Sequence, residues 1–204
     1  MERRAVYPSK IVVLVIVCAI VSSCQQAKER AAYDKIAAIK IPAIYKLTSD
    51  QGFSRREDTL YYQAKKYSGY AYQLYDARDT ALLFGYVDGL EAGAIKKWYP
   101  NRQLQELRYY AAGKKNGVHT GWWENGNKKF EFTIVDDFYE GNFKEWNHTG
   151  RLIKDFNYVH GQEQGSEKLS WDDGNIRANY VIDNGKKYGL VGLKICRNLY
   201  DSSK

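Results

Sequence analysis

"GVHTGWWENGNKKFEFTIVD", Gly117 to Asp136, is the stretch that decides how the chain is read. Gly117 to Trp123 forms one extended run. Glu124-Asn125-Gly126-Asn127 is a turn, because Asn-Gly supplies the positive φ angles of a tight hairpin. In the return run, Lys128 to Val135, Phe130, Phe132 and Ile134 alternate with Glu131 and Thr133. That period of two buries one face of a strand. The stretch therefore predicts a β-hairpin. Whether its paired tryptophans, Trp122 and Trp123, are a binding site or framework depends on what surrounds them.

The surroundings repeat. Gly69, Gly93, Gly117, Gly141, Gly165 and Gly189 are each 24 residues apart. Gly89, Gly113, Gly161 and Gly185 lie four residues before members of that series, with Asp137 filling the same column. A third column holds Gly126, Gly150 and Gly174. Aromatic residues keep the same period: Trp98, Trp122 and Trp146 in one column, Tyr75, Tyr99, Trp123 and Trp171 in the next. Phe84, Phe132, Phe156 and Tyr180 share another, interrupted by Arg108. An internal repeat of this kind governs the fold before any local pattern does. Each repeat is a hairpin, marginal alone in water. Stacked hairpins supply each other's hydrogen bonds and bury the aromatic columns, so stability grows along the array. The expected fold is all-β: an elongated, twisted antiparallel sheet of repeated β-hairpins, with a short N-terminal helix or tether. "HTGR" and "DDGN" are the equivalents of the Asn-Gly turn, and in "PNRQ" Asn101 is expected to take the left-handed position. "GKKNG", "GQEQG" and "GKKYG" form a second, longer turn between repeats.

Before the array stands an address. Arg3, Arg4 and Lys10 precede the apolar run Ile11 to Val21, and "VSSC" ends at Cys24. A charged start, a short apolar core and small residues before a boundary describe a signal peptide. The apolar run is short for a membrane span. "VSSC" resembles the lipobox of bacterial lipoproteins, and that resemblance implies cleavage before Cys24 and its acylation. Residues 1–23 are then the signal peptide, and 24–57 a lipidated tether with a short amphipathic helix or a flexible segment ending near Pro42. Residues 58–196 form the repeat domain and 197–204 a polar tail. Two or three acyl chains anchor a protein far better than one, at about 0.8 kcal/mol for each buried methylene. Gln25 in place of Asp implies the outer rather than the inner membrane. With Cys18 removed and Cys24 acylated, Cys196 is left without an intrachain disulfide partner.

The chain has 204 residues, a net charge of +7, 18 Tyr and five Trp. Its charges are scattered rather than gathered in a basic stripe, which argues against a nucleic-acid partner. Gly-x-x-x-Gly, an aromatic pair, Asn-Gly and an alternating strand together resemble the MORN repeat, in the 24-residue form of its bacterial variant, over about Asp58 to Cys196. Arg102 for Gly, Asp137 for Gly and Ser170 for Trp depart from the pattern. The resemblance implies a binding or scaffolding element without enzymatic activity, with an unidentified protein as partner and the membrane reached through Cys24. Some bacterial members carry an antitoxin label, which implies a toxin partner as a further alternative.

Chemistry of other kinds has little footing. Of His119, His148 and His160, the last two are expected in solvated turns at opposite ends of their repeat, which argues against a metal or catalytic cluster. Asp136, Asp137 and Glu140, like Asp172 and Asp173, fall in turns. No cofactor motif, metal ligand set or catalytic residue is assigned. The remaining signal is aromatic. Tyr70, Tyr72, Trp98, Trp122 and Trp146 either pack on one another along the array or form an exposed row able to stack on a glycan or a protein partner.

Overall fold

A computed structural model describes residues 27–192 apart from Glu29 and Ala77. The signal-peptide reading, Cys24, Cys196 and the C-terminal tail lie outside these residues. Among the described residues, eighteen strands follow one short helix, α1 (residues 27–28 and 30–37). The first four strands are β1 (Tyr45–Leu47), β2 (Phe53–Arg56), β3 (Thr59–Tyr62) and β4 (Lys65–Lys66). Then the repeating hairpins begin, with β5 (Gly69–Leu74) and β6 (Thr80–Val87), β8 (Gly93–Trp98) and β9 (Leu104–Ala111), β11 (Gly117–Trp122) and β12 (Lys128–Val135). They continue through β13 (Phe138–Trp146) and β14 (Leu152–Val159), β16 (Gly165–Ser170) and β17 (Ile176–Asp183), and close on β18 (Lys186–Leu190). Two-residue strands β7 (Leu90–Glu91), β10 (Lys114–Lys115) and β15 (Gln162–Glu163) extend the turns between repeats.

The main sheet runs β1-β5-β6-β8-β9-β11-β12-β13-β14-β16-β17-β18 and does not close. From β5 onward every pairing is antiparallel. The register sets one face of the central hairpin as Gly117, His119, Gly121, Phe130, Phe132 and Ile134. This face carries the core: Phe132 stacks on Phe143 with centroids 4.9 Å apart and rings 4° from parallel, and Ile134, Phe156, Tyr180 and Ile182 are buried along it.

Both turns of the repeat have a fixed chemistry. At the inter-repeat end the two central residues both have positive φ: Asp88 and Gly89, Ala112 and Gly113, Asp136 and Asp137, His160 and Gly161, Asn184 and Gly185. That is the mirror-image turn matched to the twist of paired strands, in place of the longer turn expected. Asp137 adopts φ 74° in the glycine column, and its Oδ1 accepts from the Lys115 amide at 2.8 Å. Before three of the strand glycines, Gly69, Gly117 and Gly141, the preceding residue secures the turn 20 residues on. Ser68 Oγ accepts from Asp88 N, Asn116 Oδ1 from Asp136 N, and Glu140 Oε2 from His160 N.

The Asn-Gly turns are of a different type. Gly126 N donates to Trp123 O and Trp123 N donates to Asn127 O, with positive φ at Gly126 and not at Asn125. This is the wider hairpin with a bulge. In "PNRQ" the left-handed residue is Arg102, φ 68°, rather than Asn101. The array holds the glycine phase even where glycine is missing. Asn101 instead accepts from the Gln103 amide through Oδ1 and donates to Glu124 O.

Three features before the array depart from the expectations. β1 lies in the stretch expected to be tether, and it pairs parallel with β5, Tyr45 opposite Tyr70 and Leu47 opposite Tyr72. β3 falls within the expected repeat domain but forms a separate sheet with β2 and β4. Leu60 and Phe53 of this small sheet pack against Tyr67, Ala71 and Tyr86 and cover that end of the core. Helix α1 is docked: Ala32 is buried, Lys35 Nζ reaches Asp136 at 2.8 Å and Lys28 Nζ reaches Glu140 at 2.7 Å. The helix and the strap after it lie where glycine leaves room. A Cβ at Gly117 would come within 2.6 Å of Ile36 Cδ1, and one at Gly85 within 2.5 Å of Ile41 Cδ1. At the far end, β18 ends the described strands at Leu190.

Candidate functional site

A wide concavity, open to solvent, lies beside the first two hairpins. It measures about 730 Å³ and is lined by Tyr45, Tyr72, Arg78, Asp79, Thr80, Leu83, Trp98 and Arg102. Register explains the grouping. Tyr72 of β5 faces Leu83 of β6, and Leu47 of β1 sits opposite Tyr72, so Tyr45 stands at the next same-face position of the edge strand. Trp98 closes β8 just after its bulge. The arginines come from the two hairpin turns at this end.

Those turns are held firmly. Asp76 Oδ1 accepts the amides of Arg78 at 2.8 Å and Asp79 at 3.0 Å, which holds its carboxyl below the usual range. Tyr75 N donates to Asp79 O, closing the loop. Across the cleft Arg102 Nε meets Asp79 Oδ1 at 2.8 Å. Among the described residues, the Arg78 side chain makes no hydrogen bond or ion pair. The lining thus offers three aromatic rings, a salt-bridged Asp–Arg pair, a threonine hydroxyl and one free guanidinium.

The predicted contact residues divide. Tyr72 and Trp98 line the cleft, and Tyr70 stacks on Tyr45 with centroids 5.0 Å apart. Trp122 and Trp146 lie one and two repeats further on, each half-buried. Their neighbours in the adjacent column are framework. Tyr75 OH donates to Trp98 O, Tyr99 OH to Trp122 O at 3.1 Å, and Trp123 Nε1 to Trp146 O at 2.9 Å. The second ring of each pair thereby clamps its repeat to the next.

Sequence reasoning missed Tyr45, Arg78 and Asp79, and saw Arg102 only as a departure from the pattern. A signal was available: Arg78 and Arg102 both occupy the phase that holds Gly126, Gly150 and Gly174 in the later repeats.

The histidines also divide. His148 and His160 are exposed in turns as expected, whereas His119 is fully buried in a strand. Its Nε2 lies 3.1 Å from Tyr109 O, and its ring sits 5.5 Å from that of Phe132. Burial, aided by the charge of Arg108, pulls its pKa down to about 4. Glu167 holds the same position two repeats on, fully buried, and burial pushes it up to about 7. Its Oε1 accepts from Asn157 N, while its Oε2 has no partner among the described residues. Four strand spacings separate the two groups, about 19 Å at roughly 4.8 Å each. They cannot act as one acid–base pair.

Among the described residues no group of His, Cys, Asp and Glu is placed to hold a metal ion, and no helix is long and apolar enough to cross a membrane. A scan against protein-family models finds no match, and a search of curated proteins finds none either.

Proposed function

We propose that this chain is a lipid-anchored, envelope-located MORN-like repeat protein that serves as a non-enzymatic protein-binding scaffold. The observation that carries the reading is the open sheet itself. Twelve strands run in one path, and Trp98, Trp122 and Trp146 recur along it half-buried, about 10 Å apart per two-strand repeat. A surface that repeats in this way suits an extended partner. Exposed apolar side chains strengthen the reading at the C-terminal end, where Val181 and Tyr188 face each other across β17 and β18 at 48% and 57% exposure. His119 and Glu167, both buried with displaced pKa values, lie in the core and not in the cleft, which favours a structural role for those two groups. A second reading, a glycan-binding module, is favoured by the aromatic cleft.

The test begins with location. Cells labelled with a radioactive fatty acid and fractionated should place label and protein in the outer membrane, and Cys24→Ser should lose both. Crosslinking on intact cells should then capture a protein whose yield falls when Trp122 and Trp146 are replaced by alanine. An unlabelled, cytoplasmic protein would overturn the anchor. A capture indifferent to those substitutions would overturn the scaffold surface.

A further inference from the structure

We infer that the cleft between the first two hairpins is a binding site for an acidic saccharide, an oligosaccharide bearing a uronic-acid carboxylate. The inference rests on the reading of this chain as a binding protein, and it adds a ligand class and the residues that would choose it.

Three observations converge. The first concerns phase. The turn position that is glycine in the later repeats is arginine in the two repeats bordering the cleft, Arg78 and Arg102, and in no other. Arg102 occupies it with a left-handed φ of 68°, a conformation that disfavours a side chain.

The second is the pairing. Arg102 is neutralised by Asp79, whereas Arg78 has no partner among the described residues and stands on a loop fixed by Asp76. One free guanidinium matches one carboxylate, with two parallel N–H···O bonds available to it. The ion pair meanwhile presents both donors and an acceptor, as a polyhydroxylated ligand requires, and Thr80 adds a hydroxyl.

The third is the ring set. Tyr45, Tyr72 and Trp98 line the same space, and Tyr45 is 59% exposed although stacked on Tyr70. Rings that are apolar on the face and polar at the tip suit the C–H face of a sugar. A volume of about 730 Å³ lies within the range of small-ligand sites.

The experiment titrates the protein from Cys24 onward, unacylated, with trigalacturonate while tryptophan fluorescence is followed. A neutral trisaccharide and triglutamate run beside it. A saturable change with trigalacturonate is expected, at least tenfold weaker for the neutral sugar and for the peptide. Arg78→Ala should weaken binding tenfold or more, and Arg78→Lys should recover part of it. Arg102→Gly installs the residue that later repeats carry, so the fold should persist while binding weakens. Trp98→Ala should remove the signal, with circular dichroism reporting the fold. No saturation with the acidic sugar would overturn the proposal, as would binding indifferent to Arg78→Ala. Tighter binding of triglutamate would overturn it in favour of an acidic peptide. Partner capture through Trp122 and Trp146 is read on cells and does not use these variants, so the scaffold reading and the cleft fail separately.

Discussion

His119 and Glu167 sit in a column that elsewhere holds Ala71, Ile95 and Phe143, all buried. The repeat dictates burial at this position and leaves the chemistry of the side chain open. The two polar choices pull stability in opposite directions with pH. His119 falls to about 4 in the fold from a free value near 6.5, so acid protonates the unfolded chain first. Its contribution is full above about 6.5 and is lost as pH falls through 4. Glu167 rises to about 7 from 4.5, so the folded chain keeps a proton that the unfolded chain releases. Its contribution is full below 4.5 and is lost as pH rises through 7. Each is on the order of 3 kcal/mol over its whole range, at about 1.4 kcal/mol per pH unit. In the parent chain the two slopes largely cancel between pH 4.5 and 6.5. Glu167→Gln should therefore leave stability rising with pH from 4 to 6.5, and His119→Phe should leave it falling from 4.5 to 7. Urea midpoints measured from pH 4 to 8 check this, and parallel profiles for both variants would refute it. The sequence shows these residues at their phase, but a histidine between Val118 and Thr120 looks like a surface choice. Only the 24-residue alignment with Ile95 and Phe143 reveals the core position.

Within the repeat, the second ring of each aromatic pair joins neighbouring hairpins. Tyr75, Tyr99 and Trp123 each donate to the main-chain carbonyl 23 residues ahead. A lost hydrogen bond of this kind costs about 1 kcal/mol. Tyr99→Phe keeps the ring and removes the hydroxyl, so it should lower stability by about 1 kcal/mol. Trp123→Phe loses both the indole N–H and volume in contact with Lys129 and Trp146, and should cost about 2 kcal/mol. Chemical denaturation of both variants beside the parent measures it; Trp123→Phe no more costly than Tyr99→Phe would discredit the clamp. Spacing alone revealed that these rings are framework, because a period of 24 requires every copy to meet the same neighbour. It did not reveal which polar atom each ring reaches, since that depends on the turn type. The Asn-Gly turn has one left-handed residue instead of two, and this offsets the strands by the bulge between Gly121 and Trp122. β1 was invisible for another reason. It stands outside the period, three residues long, and its parallel pairing follows from how the strap after α1 passes Gly85 and Gly93. The cleft inherits this blindness. Tyr72 and Trp98 were legible as members of aromatic runs, whereas Tyr45 comes from β1, and Arg78 shares the phase of the later turn glycines without sharing their residue type.

A sheet built from hairpins that touch only their neighbours behaves as a one-dimensional array. The small sheet covers the first hairpin and α1 docks beside β11 and β13, while β18 is exposed along its whole length. The repeats past the helix contacts should therefore tolerate changes of length that respect the period. Deleting residues 142–165 joins Gly141 to Ser166, which stands where Asn142 stood, one repeat on. Strand glycines, aromatic columns and turn phases all stay aligned across the junction. Asp136 and Glu140, which receive Lys35 and Lys28 from the helix, are retained, and so are His119, Glu167 and the whole cleft. The shortened chain should fold to the same far-ultraviolet spectrum, unfold in one transition and melt below the parent, since it loses one interface between repeats. Deleting only 142–153 places Lys154, a return-strand residue, after Gly141. That breaks the alternation that puts Phe156 and Tyr158 on the core face, because half a period exchanges opening and return strands. Thermal melts of the two deletions separate the possibilities: a cooperative transition for the 24-residue deletion and none for the 12-residue one is the expected pair. Equal tolerance of both would mean that the period is a pattern of composition and not the unit that holds the sheet together.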